Sequence, residues 1–419
     1  MTRKNKAILI GVSTADDNEE DIIQELEELK QLSTTLGYSV IKTFLQKRTV
    51  IDTGTYVGKG KINSIINISA ELNAGTLIFN NELKPSHFKN INKLINDDFV
   101  IIDRTKVILD IFAKHAKTKE SKTQIALAAN QYALPRLKGL WTHLERQMGG
   151  IGTRGGPGEK QIEIDRRIIG KQITKLKKDL KAIENSRNNM RKNRDSIYKI
   201  CIVGYTNAGK SSLMQELTGF QTYIKNELFA TLDTTTKRTT LRKKYNLLIS
   251  DTVGFLNNLP HALIASFRST LEEINTADLI IKLIDISTPN IDKHIQTIND
   301  TLHIIGADNK KFITVFNKTD LVNDKTIFNQ IKNTHKQSIM ISTTHKLKVN
   351  SLIDEIISHI DSQMNQYILE IPYSKYDIVN HIYKDMIVLE ETGEDTIVKL
   401  KIKCTKIQFE SIHFKLKNP

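Results

Sequence analysis

Four short motifs in a fixed order constrain the fold of this chain more than any other feature of its sequence. They are GYTNAGKS at 204–211, FATLD at 229–233, DTVG at 251–254 and NKTD at 317–320. The first has the spacing of a phosphate-binding loop and, like the third and fourth, follows an apolar run typical of a β-strand. Open α/β sheets bind ligands at the carboxyl ends of their strands, so these motifs predict an α/β fold with a nucleotide at one sheet edge.

The residue types within the motifs predict which nucleotide is bound. Lys210 can place a positive charge on the outer phosphates, and the Ser211 hydroxyl can hold Mg2+. Asp251 can hold the same ion through water, while the Gly254 N–H can contact the γ-phosphate. The carboxylate of Asp320 can accept from both N–H donors of a guanine edge, and adenine lacks the exocyclic amine. The sequence therefore predicts a GTP-hydrolysing enzyme.

Phe255 follows the third motif, where many GTPases carry a glutamine that orients the attacking water. A phenyl ring cannot polarise water, so we expect slow hydrolysis by the protein alone and stimulation by a macromolecular partner. We place Phe255 with Lys210 and Gly254 among the catalytic candidates. Simple packing under the switch region is the competing interpretation, and both can hold together.

Spacing alone leaves the switch threonine and the base-packing residues open. Thr231, Thr234, Thr235 and Thr236 all lie where one hydroxyl should reach the metal. The residues predicted to bind GTP are Gly204, Tyr205, Thr206, Asn207, Ala208, Gly209, Lys210, Ser211, Ser212, Phe229, Ala230, Thr231, Leu232, Asp233, Asp251, Thr252, Val253, Gly254, Asn317, Lys318, Thr319, Asp320, Ser342 and Thr343.

Length, charge and cysteine content limit the remaining possibilities. The chain has 419 residues and a net charge of +14, which suggests a polyanionic partner. Two cysteines fit a reducing compartment, and no run of 18 apolar residues is present. We expect a cytoplasmic protein without a membrane span.

Four domains are predicted along the chain. Residues 1–103 alternate strands and helices, which indicates a parallel α/β subdomain, and 197–362 form the P-loop GTPase domain. Residues 363–419 form a small α/β domain whose lysines either contact RNA or keep an edge strand soluble. Residues 104–196 are expected to form a long antiparallel helical hairpin with a glycine-rich tip at 149–158.

The predicted hairpin is basic, and its second arm carries a seam of apolar residues. These are Ile169, Ile173, Leu176, Leu180 and Ile183, spaced as in a coiled coil. Basic helix faces are usually only solvated, but here the charge is one-sided, so contact with RNA is the favoured interpretation. The residues expected to touch RNA are Arg146, Arg154, Lys160, Arg166 and Arg167.

Several segments together resemble the HflX family of translational GTPases, close to the Obg branch. They are TYVGKGKINSI, WTHLERQMGGIGTRGGPGEKQIEIDRR, the P-loop, FATLD, DTVGFLNNLPHALIASFRSTLEE and NKTD. The resemblance implies a GTPase that binds the large ribosomal subunit and rRNA, inserts its hairpin near the peptidyl-transferase region and splits stalled or hibernating ribosomes. It also implies that Ser211 and Thr231 are Mg2+ ligands.

Departures from the family pattern and two rival functions qualify this expectation. Thr234 stands where the family usually has proline, which predicts a more flexible switch, and Thr343 replaces an alanine beside the base. One rival is a ribosome-assembly or RNA-binding GTPase without splitting activity. The other is an RNA-binding scaffold whose nucleotide only locks a conformation. GTP and GDP are the expected ligands, and the sequence leaves ATP binding open.

Overall fold

The computed structural model describes residues 3–95, 99–137, 157–192, 197–220, 228–229, 232–257 and 268–417. The chain divides into two compact units. The first comprises residues 1–183 together with 227–232 and 257–268, and the second comprises 184–226, 233–256 and 269–419.

A parallel four-stranded sheet forms the centre of the first unit. Its strands are β1 (Lys6–Ser13), β2 (Ser39–Lys47), β3 (Thr76–Phe79) and β4 (Val100–Asp103), in the order β2-β1-β3-β4. The helices α1 (Glu19–Thr35), α2 (Lys59–Glu71) and α3 (Pro85–Asn92) connect them. Parallel strands covered by helices on both faces read as continuous apolar runs, and β1 and β3 are buried almost throughout. The predicted parallel α/β subdomain is confirmed.

Three further helices follow β4 in the first unit. They are α4 (Arg104–His115), α5 (Lys119–Ala133) and α6 (Pro157–Lys192), and the unit boundary falls within α6 after Ile183. The side chain of Asp103 caps α4 by accepting from the backbone N–H of Lys106 at 2.9 Å. Thr118 caps α5 in the same way, through the N–H of Ser121.

The first arm of the predicted hairpin is shorter in the described residues than expected. The predicted hairpin requires a first helix that continues to the tip at 149–158, but α5 ends at Ala133 and a 3-10 turn follows at Leu134–Arg136. Pro135 explains the ending, because its nitrogen cannot donate a helical hydrogen bond. Residues 138–156, which include most of the predicted tip, lie outside the described part of the chain.

The second arm, α6, carries the predicted apolar seam. Every seam residue from Ile169 to Ile183 is half-buried, whereas most of its immediate neighbours are exposed. One hydrogen bond joins this helix to α5, from Asn130 Nδ2 to Gln172 Oε1 at 3.4 Å. The described contact therefore agrees with α5 and α6 as neighbouring helices.

Two arginines from the basic segment 104–196 are structural rather than surface residues. Arg104 is 3% exposed and bonds to the Glu28 carboxylate, and its Nη1 donates to Asn80 Oδ1 at 3.2 Å. Arg136 is 5% exposed and donates to Glu82 Oε1 at 2.7 Å. Both guanidinium groups are paired with carboxylates inside the first unit, so they do not contribute to an RNA-facing surface.

The second unit contains a six-stranded sheet. Its strands are β5 (Tyr198–Gly204), β6 (Thr235–Leu241), β7 (Tyr245–Asp251), β8 (Leu279–Asp285), β9 (Phe312–Asn317) and β10 (Ile339–Met340). The order is β10-β9-β8-β5-β7-β6, and only β6 is antiparallel to its neighbour. The strands β5, β7, β8 and β9 therefore end at one edge of the sheet.

Helices cover both faces of this sheet. They are α7 (Lys210–Thr218), α8 (Arg268–Thr276), α9 (Ile291–Ile304), α10 (Lys325–Thr334) and α11 (Val349–Asp361). One apolar cluster packs α7 and α11 against the sheet, and a second packs α8, α9 and α10. Both clusters exclude water beneath the edge where the sequence motifs lie.

A small α/β element ends the chain. It combines β11 (Asn365–Pro372), α12 (Asp377–Asp385), β12 (Ile387–Gly393), β13 (Ile397–Cys404) and α13 (Lys406–Lys417). The three strands form an antiparallel sheet in the order β11-β13-β12.

The lysines of β13 are paired within the protein. Lys399 lies 2.7 Å from a Glu394 carboxylate oxygen, and Lys401 lies 3.0 Å from Glu390. Lys403 lies 2.6 Å from Asp361 at the end of α11. Of the two interpretations left open by the sequence, this pairing favours a soluble strand over an RNA contact.

Two features bear on the expected compartment. In the part of the chain that the structure describes, no helix is long and apolar enough to cross a membrane. Cys201 and Cys404 are free thiols, both fully buried, so packing accounts for their presence.

Candidate nucleotide-binding site

The first motif forms a tight loop between β5 and α7. Asn207 and Gly209 adopt positive φ angles of 60° and 94°, which turn successive backbone N–H groups inward. A Cβ at Gly209 would lie 2.3 Å from Nδ2 of Asn317, and one at Gly204 would lie 2.3 Å from the carbonyl oxygen of Leu283. Glycine is therefore required at both positions by close packing.

Lys210 is buried at the start of α7. Its Nζ donates to the carbonyl oxygens of Gly204 at 3.2 Å and Tyr205 at 2.8 Å. Burial lowers the pKa of Lys210 to about 8; the nearby Lys318 charge lowers it further, and Asp251 opposes the shift. An anionic phosphate at this loop would stabilise the ammonium form.

Two oxygen ligands suited to Mg2+ meet beside the loop. Ser211 Oγ donates to Asp251 Oδ2 at 2.7 Å, and Asp251 is 1% exposed at the end of β7. Mg2+ is usually held by one or two carboxylates together with substrate phosphates rather than by an all-protein cage. Within the described residues no cluster of three or more His, Cys, Asp or Glu forms a self-sufficient metal site. This donor set therefore fits an Mg2+ ion shared with a nucleotide.

The third motif is tied directly to the first. The N–H of Phe255 donates to the carbonyl oxygen of Gly204 at 3.0 Å. The N–H of Thr206 donates to the carbonyl oxygen of Phe255 at 2.9 Å. The hydroxyl of Thr252 has a partner in the neighbouring strand, because its Oγ1 donates to the carbonyl oxygen of Ile202 at 2.8 Å. The Phe255 ring is 2% exposed and packs in the apolar cluster of β5, β8 and α9. Its side chain therefore faces the core, as the packing interpretation anticipated.

The fourth motif is hydrogen-bonded to the P-loop through Asn317. Asn317 is fully buried, and its Nδ2 donates to the carbonyl oxygen of Ala208 at 2.9 Å. Its Oδ1 accepts from the N–H of Thr343 at 3.1 Å. Asn317 therefore joins the phosphate loop to the loop predicted to pack on the base.

The Asp320 carboxylate, which is predicted to select guanine, is held by the same loop. Ser342 Oγ lies 2.5 Å from Asp320 Oδ1 and also accepts from the N–H of His345 at 3.1 Å. Thr319 Oγ1 donates to the carbonyl oxygen of Ile341 at 3.0 Å. This arrangement fixes the Asp320 carboxylate at the edge of the sheet, with one oxygen engaged by Ser342.

The switch segment is described only in part. Ala230 and Thr231 lie outside the described residues, so the predicted metal ligand Thr231 is not placed. Phe229 belongs to the first unit, where its ring packs edge-on against Phe112 with centroids 4.7 Å apart. Among the alternative threonines, Thr236 lies in β6 with its hydroxyl 2.8 Å from Ser250 Oγ, so it already has a partner in the sheet.

An aromatic pair lies beside the phosphate loop. The rings of Tyr205 and His294 stack with centroids 3.8 Å apart and an interplanar angle of 8°. Burial lowers the pKa of His294 to about 4, and the charge of Lys293 acts in the same direction, whereas Asp285 opposes it. His294 is therefore neutral at physiological pH.

Three family models match successive parts of the chain. The "GTP-binding GTPase N-terminal" model covers 23–113, and the "GTP-binding GTPase Middle Region" model covers 115–194. The "50S ribosome-binding GTPase" model covers 199–318, which contains the first three motifs in full and the first two residues of the fourth.

Curated relatives decide the family. A "GTPase HflX" from Flavobacterium psychrophilum is 45% identical over 322 residues, which cover 77% of each chain. The chain belongs to the HflX family of GTPases. A second HflX, from Caldanaerobacter subterraneus, is 37% identical over 96% of this chain and 91% of its own. The chain is accordingly a GTP hydrolase.

One solved structure of similar size also matches this HflX-family chain. It is a GTP-binding protein from Sulfolobus solfataricus in complex with GDP, 25% identical, covering 84% of this chain and 98% of that one. Its TM-score of 0.45 is too low to add to the family assignment.

Sequence reasoning missed two residues that contact the predicted nucleotide site of this HflX-family chain. Asp285 ends β8 and forms an ion pair with Lys318, and His294 on α9 stacks on Tyr205. Neither lies in a motif, but Asp285 ends a strand-like run in the same way as Asp251. That position was the only signal from which its role was predictable.

The residues expected to contact RNA lie in or near α6. Arg166 and Arg167 are exposed on this helix, and Arg167 pairs with Glu163 at 3.0 Å. Arg146 and Arg154 lie outside the described residues, and the side chain of Lys160 is likewise not described.

Proposed function

We propose that this HflX-family GTPase binds the large ribosomal subunit and rRNA through its basic segment 104–196 and promotes splitting or rescue of stalled or hibernating ribosomes. The observation that carries the proposal is the match of residues 199–318 to a "50S ribosome-binding GTPase" model in an HflX chain with a net charge of +14. A strongly basic protein favours a polyanionic partner such as rRNA.

The proposed roles follow the site geometry. Lys210 stabilises charge on the β- and γ-phosphates, and the N–H of Gly254 contacts the γ-phosphate. Asn317, Lys318 and Asp320 select guanine, since their loop is fixed against the P-loop by the Asn317 hydrogen bonds. Hydrolysis by the protein alone is slow because Phe255 offers no polar group to the attacking water.

Mg2+ is the proposed cofactor of the reaction. Ser211 and Asp251 would hold it, together with Thr231 from the switch segment and the phosphates of GTP. When bound, the ion neutralises developing charge on the phosphates.

The proposed RNA contact uses the exposed face of α6 and the glycine-rich segment before it. Arg166 and Arg167 supply charge from the helix, and Arg146, Arg154 and Lys160 extend it along the chain. We propose that the protein acts as a monomer, partly bound to ribosomes in the cytoplasm, with the four-domain division 1–103, 104–196, 197–362 and 363–419.

The first experiment measures GTP turnover with and without purified ribosomes, with Lys210→Ala as the blank. We expect strong stimulation by the large subunit that is lost when residues 149–158 are shortened. Sedimentation of 70S ribosomes with the protein and GTP then tests splitting directly. Stimulation without subunit release would favour an assembly or RNA-binding GTPase, and no stimulation would overturn the ribosomal proposal.

A further inference from the structure

We propose that the Thr206 hydroxyl is a catalytic group of GTP hydrolysis in this protein. It would hydrogen-bond the attacking water against the γ-phosphate, a role that Phe255 cannot fill. The inference rests on the proposed positions of the phosphates beside Lys210 and Gly254.

Hydrogen bonds between the first and third motifs bring Thr206 close to Gly254, at the edge of the sheet where hydrolysis is proposed. Thr206 N–H donates to the Phe255 carbonyl oxygen at 2.9 Å, which places Thr206 directly opposite Gly254. A Cβ built at Gly254 would lie 2.9 Å from both Cα and Cγ2 of Thr206 and 3.0 Å from Nζ of Lys210. Gly254, Lys210 and Thr206 therefore approach one another closely, and the γ-phosphate is expected beside them.

The Thr206 hydroxyl is available for a ligand. Thr206 is only 6% exposed, and its Oγ1 is buried without a hydrogen-bond partner among the described residues. By contrast, Ser211 Oγ bonds to Asp251 and Thr252 Oγ1 bonds to Ile202. A buried hydroxyl without a partner is destabilising, because it has lost its hydrogen bonds to water, so its retention needs a compensating interaction.

The geometry of a threonine suits this task. Cγ2 faces Gly254, and rotation about χ1 by about 120° exchanges Cγ2 with Oγ1. A hydroxyl can accept a hydrogen bond from water while donating to a γ-phosphate oxygen. Thr206 can therefore orient water without leaving the P-loop.

The chemical step is balanced without another reactant. The water oxygen forms a bond to the γ-phosphorus as the bond to the β–γ bridging oxygen breaks, and GDP leaves with the electron pair. The water proton ends on the phosphate product. Thr206 keeps its own proton and acts by orientation.

The test compares Thr206→Val, Thr206→Ser and Thr301→Val in single-turnover GTP hydrolysis without ribosomes. Thr301 is a matched control, because it is buried on α9 and its hydroxyl donates within that helix to the carbonyl oxygen of Thr297 at 2.7 Å. We expect Thr206→Val to lower the rate at least about tenfold, the loss of one transition-state hydrogen bond. Thr206→Ser should keep most of the rate, and Thr301→Val all of it.

Binding and stability separate catalysis from structure. Thr206→Val should bind GDP and a non-hydrolysable GTP analogue as wild type does but lose added affinity for GDP with aluminium fluoride, and its melting temperature should not fall. A wild-type rate for Thr206→Val would overturn the inference, as would an equal loss of ground-state GTP binding. Failure of the wild type to exceed Lys210→Ala would instead refute the proposed site itself.

Discussion

The Nζ of Lys318 lies 2.7 Å from Oδ2 of Asp285, so the NKTD motif is tied to the end of a neighbouring strand. The other oxygen of Asp285 accepts from the N–H of Ser287 at 2.9 Å and from its hydroxyl at 2.6 Å. Lys318 has a φ of 63°, a conformation that costs an ordinary residue of order 1 kcal/mol. The ion pair helps to hold Lys318 in this conformation beside the loop predicted to pack on the base.

Asp285→Asn should weaken guanine-nucleotide binding. The amide keeps an oxygen for the Ser287 turn but removes the charge opposite Lys318. We expect GDP to dissociate about three- to tenfold faster, as for loss of a partly buried ion pair of about 1 kcal/mol. Release of a fluorescent GDP analogue measures this rate. Asp308→Asn, which removes the charge from an exposed pair with His303, is the control and should leave the rate unchanged. Equal release rates for both variants would contradict a positioning role.

Phe255→Gln should not create a faster GTPase. The side chain at 255 points into the apolar cluster of β5, β8 and α9, so a glutamine there would bury an amide rather than reach the γ-phosphate. An unpaired buried amide costs about 1–3 kcal/mol. We expect an unchanged or lower single-turnover rate and a reduced melting temperature.

Phe255→Leu is the matched control for this prediction, because it keeps an apolar side chain at 255 and should retain most of the stability. A rise in the basal rate of the glutamine variant, measured without ribosomes, would show that the segment turns outward during catalysis.

Stability of the second unit should fall as the solution is acidified from about pH 6.5 towards 4. Burial lowers the pKa of His294 to about 4, so the unfolded chain binds a proton in this window that the folded state does not. The loss should reach about 2 kcal/mol near pH 5, since each pKa unit is worth about 1.4 kcal/mol.

His294→Phe isolates this contribution, because it keeps a ring stacked on Tyr205 but does not titrate. Melting temperatures of both proteins between pH 4.5 and 7.5 provide the measurement. The wild type should lose more stability than the variant on acidification; parallel curves would show that His294 is not the group responsible.

The arginines of the basic segment should separate into two functional classes. Arg104→Met should lower the melting temperature, because it leaves the Glu28 carboxylate without its buried partner, at a cost of about 3 kcal/mol. The double variant of Arg166→Gln and Arg167→Gln should melt like wild type but bind ribosomes less tightly. Its slope of log affinity against log salt should fall by about 1–2. An unchanged slope for the double variant would remove these two residues from the RNA contact.

Local sequence patterns were enough to predict much of this fold. The alternation of strands and helices over 1–103 gave the parallel sheet, because each element is encoded by its own apolar periodicity. The P-loop was equally predictable, since its glycines at 204 and 209 are recognised from their spacing, and the structure shows that a Cβ there would meet the Leu283 carbonyl oxygen or the Asn317 side chain. The interruption of the first hairpin arm after Ala133 was not predicted, because the effect of Pro135 was not weighed against helical periodicity.

The sequence by itself determined which nucleotide chemistry this protein performs, since the four motifs carry their donors and acceptors within a few residues of one another. Only the tertiary structure decided how those motifs are supported. It paired Asp285 with Lys318, stacked His294 on Tyr205, buried Arg104, and placed Thr206 beside Gly254 with its hydroxyl buried and without a hydrogen-bond partner among the described residues. These relationships join residues distant along the chain or depend on which strands are neighbours, and strand order is set by packing of the whole sheet rather than by any local pattern.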